Sequence, residues 1–384
     1  MRLRSERIVC PDATRAGEVI VEHGRISSVN VVADRSDAAA SREGGELVDL
    51  GDRWLVPGYI DVHVHGGGGA QCNTANADEI AAVARFHARH GTTGLLATTV
   101  AAPVEELCAA LTAIARCTAP TLLGAHLEGP FLSREQPGAM DPNLFLDPDL
   151  VQLDRLLTAG RGAVRLMTLA PELPGALALV RRLLDSEAVA SVGHTSATDG
   201  EVREAVRAGA NAATHVFNAM SPLHHREPGA IGAVLDLSEV SCELICDGVH
   251  VGPVAMRLLY RAKGARGVRL VTDAMAATGL PDGEYRLGGR SVTVTEARSV
   301  LTGGGSIAGS TLTMEAAVQN AVRFLEVPIE EAVLMSSTNS ATLLGLEERK
   351  GAIEAGLDAD LVVLDERLNV EATMVAGQWL AGRP

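Results

Sequence analysis

Eight short apolar segments alternate with helix-like stretches through the middle of this 384-residue chain. They occupy residues 55–62, 93–99, 121–127, 164–169, 189–193, 212–217, 242–246 and 268–272. Each has strand length, and most are apolar on both faces, as parallel strands buried between two layers are. Between them, residues 78–90 place Ile80, Val83, Ala84 and His87 on one side and stop before Gly91. Residues 105–116 group Leu107, Leu111 and Ile114, and residues 199–208 open with an acidic cap and end before Gly209. Eight such alternations predict an α/β chain closed into a (β/α)8 TIM-like barrel. A doubly wound sheet is the alternative, but it usually uses fewer strands.

The two ends have a different rhythm. Glu18-Val19-Ile20-Val21 runs into the turn residues Glu22-His23-Gly24, and the apolar pattern resumes at Arg25-Ile26, which reads as a β-hairpin. Leu361-Val362-Val363-Leu364 is bounded by acidic residues, and Met374 to Leu380 reads as strand, turn and strand. Residues 1–52 and 351–384 are therefore expected to form a small β-sandwich domain from both termini, with the barrel over 53–350. Residues 283–302 break the barrel rhythm and read as a hairpin insertion. The length suits one barrel of about 250 residues with a small companion.

Composition narrows the function. Hydrophobic residues are 47% and charged residues 21%, which is globular usage and excludes disordered, coiled-coil and collagen-like chains. The net charge of −15 repels phosphate backbones, so nucleic acid is not an expected partner, and an anionic ligand needs a local cationic focus. No apolar run approaches the roughly 20 residues that cross a bilayer, so no membrane partner is expected. No apolar stretch follows the charged residues Met1 to Arg7, so a cytoplasmic protein is expected. The six cysteines form no C-x-x-C pair and read as free thiols. The run Gly66 to Gly69 lacks the Lys-Ser/Thr ending of a phosphate-binding loop.

In a barrel of this kind the chemistry sits where strands end. Those ends carry His63 and His65 in the first segment, Glu128 after the third, His194 after the fifth and His215 in the sixth. The seventh leads to Asp247-Gly248-Val249-His250, and the eighth to Asp273. The period-two spacing of His63 and His65 puts both on one face of a strand. A lone strand-end histidine is usually a packed, hydrogen-bonded residue. Six imidazole and carboxylate donors at the ends of five strands instead predict a divalent metal, zinc or a neighbour in its row. Asp273 is either a plain ligand or the acid/base that takes the proton of an activated water and passes it to a leaving group, and the two roles are compatible. Neither Lys263 nor Lys350 lies at a strand end, so Glu128 is the natural carboxylate to sit where a lysine carbamate would bridge two metals.

Taken together these residues resemble the amidohydrolase superfamily, and within it the deacetylases of phosphorylated amino sugars. The resemblance spans nearly the whole chain. It rests on Pro57-Gly58-Tyr59-Ile60-Asp61-Val62-His63-Val64-His65-Gly66, His126-Leu127-Glu128-Gly129-Pro130-Phe131 and Gly193-His194-Thr195. It continues through Thr214-His215-Val216-Phe217-Asn218-Ala219-Met220, His225-Arg226-Glu227-Pro228-Gly229, Asp247-Gly248-Val249-His250, Thr272-Asp273-Ala274-Met275 and Ala308-Gly309-Ser310.

The resemblance implies a primary metal on Glu128, His194 and His215, with His63 and His65 available for a second. Zinc leads the candidates, with iron, manganese or cadmium as others. It implies Asp273 as catalytic acid/base, Arg226 as phosphate anchor, and His250, Asn218, Ala219, Ile307, Ala308, Gly309 and Ala139 as substrate contacts. It also implies a homodimer, because the family's phosphate-binding arginine can reach into a neighbouring subunit. The implied reaction deacetylates N-acetylglucosamine 6-phosphate to glucosamine 6-phosphate and acetate. One segment departs from the family pattern: Gly138-Ala139 is followed by Met140 rather than histidine, and Arg134 to Pro137 match poorly. Hydrolysis of a cyclic amide or an N-acyl amino acid, and a non-catalytic scaffold, are the competing readings.

Overall fold

The computed structural model describes residues 1–32 and 46–384. Residues 33–45, part of the N-terminal half of the expected β domain, lie outside the described residues. The middle of the chain is a parallel barrel of eight strands: β1 (Tyr59–Val64), β2 (Thr92–Thr99), β3 (Leu122–Glu128), β4 (Val164–Leu169), β5 (Val189–Val192), β6 (Ala212–Ala213), β7 (Ser241–Ile245) and β8 (Val268–Val271). They pair in chain order. A parallel bridge from Val64 to Ala274 closes the ring, and Asp273 N–H donates to His63 O at 2.9 Å across the same seam.

Helices follow the strands as α1 (Ala77–Ala88), α2 (Val104–Arg116), α3 (Leu150–Gly160), α4 (Ala176–Leu184), α5 (Asp199–Ala208), α6 (Gly229–Asp236), α7 (Pro253–Gly267) and α8 (Met314–Leu325). Their starts and inner faces are local in origin. Asn76 caps α1 by accepting from Asp78 N–H, and the helix buries Ile80, Val83, Ala84 and His87. Thr198 and Glu201 form a reciprocal capping box on α5, which ends at Gly209 in the left-handed region.

The first apolar segment, 55–62, divides at Gly58. Trp54–Pro57 pairs antiparallel with Leu361–Leu364 and parallel with Arg7 and Ile8, so it belongs to the terminal sheet, whereas β1 belongs to the barrel. A Cβ on Gly58 would stand 2.1 Å from Thr93 Oγ1, so only glycine lets the chain pass from one sheet to the other here. Among the described residues the terminal sheet has eight strands, drawn from both ends of the chain. Its core is a separate apolar cluster that includes Leu3, Ile8, Val19, Ile26, Leu55, Leu361, Val363 and Met374.

The insertion holds one strand more than a hairpin. Gly283–Leu287, Arg290–Thr295 and Arg298–Leu301 form an antiparallel meander. Its second turn uses Glu296 and Ala297 at φ 50° and 60°, residues without the Asn-Gly signature of such turns. The missed strand is also short and half polar, so its sequence carries little pattern.

Candidate active site

The donors expected at the strand ends come together at the C-terminal mouth of the barrel. His63 lies in β1 and His65 directly follows it, and Glu128 ends β3. His194, His215 and Asp273 follow β5, β6 and β8 with φ of 47°, 30° and 51°. Left-handed backbone at three non-glycine residues costs of order 1–3 kcal/mol each and clusters where a site over-determines it.

Two overlapping groups share one carboxylate: His63, His65 and Glu128, and Glu128, His194 and His215, all buried. Glu128 Oε1 lies 3.0 Å from His194 Nε2, 2.9 Å from His215 Nε2 and 3.6 Å from His63 Nε2. Its Oε2 lies 3.3 Å from His65 Nε2. Asp273 Oδ1 lies 3.0 Å from His65 Nε2 and 3.5 Å from His63 Nε2.

The far sides of the rings are held by acceptors. Nδ1 of His63 faces Glu243 Oε2 at 3.0 Å, Nδ1 of His65 faces Thr98 O at 3.3 Å, and Nδ1 of His194 faces Gln136 O at 2.8 Å. A neutral imidazole that donates from Nδ1 presents a lone pair at Nε2. The Nε2 atoms meet in pairs: those of His63 and His65 are 3.1 Å apart, as are those of His194 and His215, the last a ring whose Nδ1 has no partner among the described residues. Ring nitrogens and carboxylate oxygens converging on one another fit a bound cation, and nitrogen and oxygen donors without thiolate suit a divalent metal of the zinc type.

Electrostatics point the same way. Burial opposes charge on His63, but Glu128 and Asp273 hold its pKa well above the ordinary value, and the same pair hold His65 up at about 9. Burial alone would raise Glu128 and Asp273; the facing imidazoles pull both below the ordinary carboxylate range. Glu243 is likewise held down at about 2, burial being outweighed by His63. Asp61 is pushed up to about 7 by burial. Arg269 is the one arginine or lysine paired with these carboxylates among the described residues. With no cation bound, protons on His63 and His65 offset the buried carboxylates, and a divalent cation at the same ring nitrogens would take the place of those protons.

A cavity of about 310 Å³ opens above these groups, within the range of small-molecule sites. Of the residues expected to touch substrate, Ala139, Asn218, Ala219, His250, Ile307 and Gly309 line it. His250 holds Asp247 Oδ2 through Nδ1 at 2.7 Å. Two expected contacts stand apart. The side chain of Ala308 is fully buried in the apolar cluster beneath the insertion, with Met275, Leu287 and Val292. Arg226 stands exposed on the loop after β6, against His225 Nε2 at 2.7 Å, and does not line the cavity. No lysine or arginine lines the cavity among the described residues.

The segment that departs from the family pattern nevertheless builds the wall. Gly138, Ala139 and Met140 line the cavity, and Gln136 supplies the carbonyl that holds His194. Gly138 has φ 58°, and a Cβ there would stand 3.0 Å from His194 Cε1, so a side chain would press on that ring. Leu287 and Ser306, from the meander and the segment after it, complete the rim.

Sequence reasoning missed Glu243 and Arg269, both fully buried and directly opposite each other on β7 and β8. The available signal was a single acid inside Cys242-Glu243-Leu244-Ile245-Cys246 and a single base inside Val268-Arg269-Leu270-Val271. An unpaired charge inside a buried strand asks for a partner across the interior.

The chain belongs to the amidohydrolase family, whose model matches residues 54–380. Its relatives include amino-sugar phosphate deacetylases. It is 38% identical over 343 residues to N-acetylglucosamine-6-phosphate deacetylase of Lysinibacillus sphaericus, covering 88% of each chain. It is 38% identical over 370 residues to N-acetylgalactosamine-6-phosphate deacetylase of Escherichia coli O157:H7, covering 95% of this chain and 98% of that one. Among solved structures, a mutant N-acetyl-D-glucosamine-6-phosphate deacetylase of Mycobacterium smegmatis in complex with N-acetyl-D-glucosamine-6-phosphate matches with a TM-score of 0.93 and 40% identity, covering 99% of both chains.

Proposed function

We propose that this chain hydrolyses the acetamide of N-acetylglucosamine 6-phosphate, giving glucosamine 6-phosphate and acetate. The observation that carries this is the pair of donor groups sharing Glu128 beside Asp273, under one cavity, in a chain 38–40% identical to named deacetylases. Glu128, His194 and His215 hold the primary divalent cation, and His63 and His65 join Glu128 at a second position. Zinc suits the donor set best, with iron, manganese and cadmium as the alternatives. A cation held there supplies Lewis-acid polarisation of the amide carbonyl and a lowered pKa for the attacking water.

The chain's own groups do the rest. Asp273 is ionised at neutral pH, the state a general base needs. It takes a proton from the attacking water as the carbon–oxygen bond forms. The same proton then goes to the amide nitrogen as the carbon–nitrogen bond breaks, which returns Asp273 to its carboxylate and releases the amine. His250, braced by Asp247, orients the sugar, with Asn218, Ala219 and the wall residues Ala139, Ile307 and Gly309 around it.

The phosphate needs a cation, and among the described residues the cavity lining has no lysine or arginine. Arg226 supplies it in this reading, with guanidinium donors matched to phosphate oxygens, and reaches the site of a second subunit in a homodimer. The backbone of the 307–309 segment, rather than the Ala308 side chain, contacts the sugar. The enzyme works in the cytoplasm, since a phosphorylated sugar does not cross a bilayer unaided. Among the described residues no helix is long and apolar enough to span a membrane.

The test is acetate release. Chelation should abolish release from N-acetylglucosamine 6-phosphate, and adding back single metals should restore it, zinc foremost. Turnover that survives complete metal removal would sink the reading. Running the 4-epimer, a cyclic amide and an N-acyl amino acid alongside separates the substrate classes. Faster hydrolysis of either amide class than of the sugar phosphate would favour the rival enzyme, and no hydrolysis of any would favour the scaffold.

A further inference from the structure

Glu243 touches both donor groups. Its Oε2 accepts from His63 Nδ1 at 3.0 Å and from the backbone N–H of His215 at 3.1 Å. His63 lies on β1 and His215 after β6, so a side chain from β7 reaches β1, which is not its neighbour, only across the barrel interior. Its other oxygen faces Arg269 at 3.6 Å, and both side chains are wholly buried. The two residues are in direct register on adjacent parallel strands, so their side chains share a face. None of the guanidinium nitrogens of Arg269 has a hydrogen-bond acceptor among the described residues, which leaves Glu243 as its counter-charge.

We propose that Glu243, with Arg269 behind it, is a positioning residue of the metal site: it fixes the ring of His63 with Nε2 toward the cation and ties the His63–His65–Glu128 group to His215. This rests on the reading that His63 and His65 are ligands. The physical argument concerns both ends of the carboxylate. Accepting at Nδ1 commits His63 to one tautomer and one ring orientation, and such outer contacts typically set metal affinity within 10–100-fold. Arg269 keeps the carboxylate from turning, because rotation would put an oxygen out of reach of either His63 or the guanidinium. His65 and His194 have only backbone carbonyls in the same role, so His63 is the ligand whose orientation depends on a charged pair.

The experiment is a titration of the metal-free full chain with Co2+, read by competition with a chelator and by the visible absorption of each equivalent. The wild type should take two equivalents, and His63→Ala should lose one of them. In Glu243→Leu/Arg269→Met the buried pair becomes two apolar side chains of similar volume, an exchange that is often neutral for folding. This chain should stay folded, with a melting temperature lowered by the loss of the His215 N–H acceptor, keep the first equivalent, and bind the second roughly 10–100-fold more weakly, with an altered spectrum for that equivalent.

Glu243→Gln provides the second variant should the double exchange fail to fold. Its amide can accept from His63 only by turning its NH2 toward Arg269, a donor against donors, so it too should weaken the second equivalent. Wild-type affinity for both equivalents in a folded Glu243 variant overturns the positioning role while leaving the ligand assignment intact. A wild-type chain that takes one equivalent, unaffected by His63→Ala, overturns the ligand assignment and the positioning role together.

Discussion

The axis of the barrel and the core of the terminal sheet are both buried, yet they are built from opposite materials. Along the barrel axis His126 Nε2 meets Thr168 Oγ1 at 2.8 Å, Thr168 meets Thr214 at 2.7 Å, and Ser191 meets Thr214 at 2.6 Å, with Asp61, Glu243 and Arg269 nearby. Inside the terminal sheet the cluster is Leu, Ile, Val, Met and Ala with one cysteine. A buried polar chain returns little net stability, because each hydrogen bond made replaces one with water. An apolar side chain returns about 1.5–3 kcal/mol on full burial. The polar axis is therefore what the mouth requires of the strands beneath it, and the terminal sheet is where the chain gains stability with no chemistry to accommodate. Damage to the two regions should separate into lost turnover and lost stability.

Asp273→Asn tests the barrel side most sharply. It keeps the size and removes the proton acceptor, so acetate release should fall by about 10²–10⁴-fold while the melting temperature stays near the wild type. Near-normal turnover would remove Asp273 from the acid/base role. Leu361→Ala tests the other side. Leu361 is wholly buried in the terminal core, and its truncation should cost about 2–5 kcal/mol in denaturant unfolding. Turnover per folded molecule should be unchanged. If instead kcat falls in the fully folded variant, the terminal sheet takes part in the site and the contrast fails.

The next effect is smaller and concerns substrate alone. Arg226→Ala should raise KM for N-acetylglucosamine 6-phosphate by roughly 10–100-fold, the worth of a charge-assisted contact, and leave the unphosphorylated sugar nearly unaffected. Equal changes for both sugars would mean that Arg226 does not read phosphate. In the proposed homodimer Arg226 serves the site of a second chain, so subunit mixing sharpens the result. Active-site-dead Asp273→Asn subunits with intact Arg226 should restore KM to an Arg226→Ala chain.

What the sequence made legible follows the same division. Strand segments, helix faces and strand-end donors are local patterns, and His63, His65, Glu128, His194, His215 and Asp273 could be singled out because barrel geometry sends every strand end to one mouth. The rest depends on contacts between distant segments. The division of the first segment at Gly58 is set by its close approach to Thr93, not by any change in hydrophobicity. Glu243 and Arg269 are single charges in otherwise apolar strands, and only closure of the barrel shows that one faces His63. Met140 broke the expected motif, but Gln136 holds His194 through a backbone carbonyl, a contact indifferent to the side chain. The third strand of the meander follows a turn without glycine or asparagine, so no local cue announces it.

His87 offers the finest probe, because it is a buried polar group outside the axis. It sits on the inner face of α1 and donates from Nε2 to Gly66 O at 2.9 Å, while its Nδ1 has no partner among the described residues. Burial lowers its pKa to about 4 from an ordinary 6.5. The unfolded chain therefore binds a proton at this residue between those values while the folded chain does not, and stability falls as pH drops through that window. One unit below the unfolded value, at pH 5.5, the loss should be about 1.4 kcal/mol relative to neutral pH. His87→Gln keeps a nitrogen donor for Gly66 O and has no proton to gain. Urea unfolding of both chains at pH 7.5 and 5.5, with the same metal content, should show the variant losing less stability than the wild type by about that amount. Equal losses would show that His87 does not contribute to acid sensitivity.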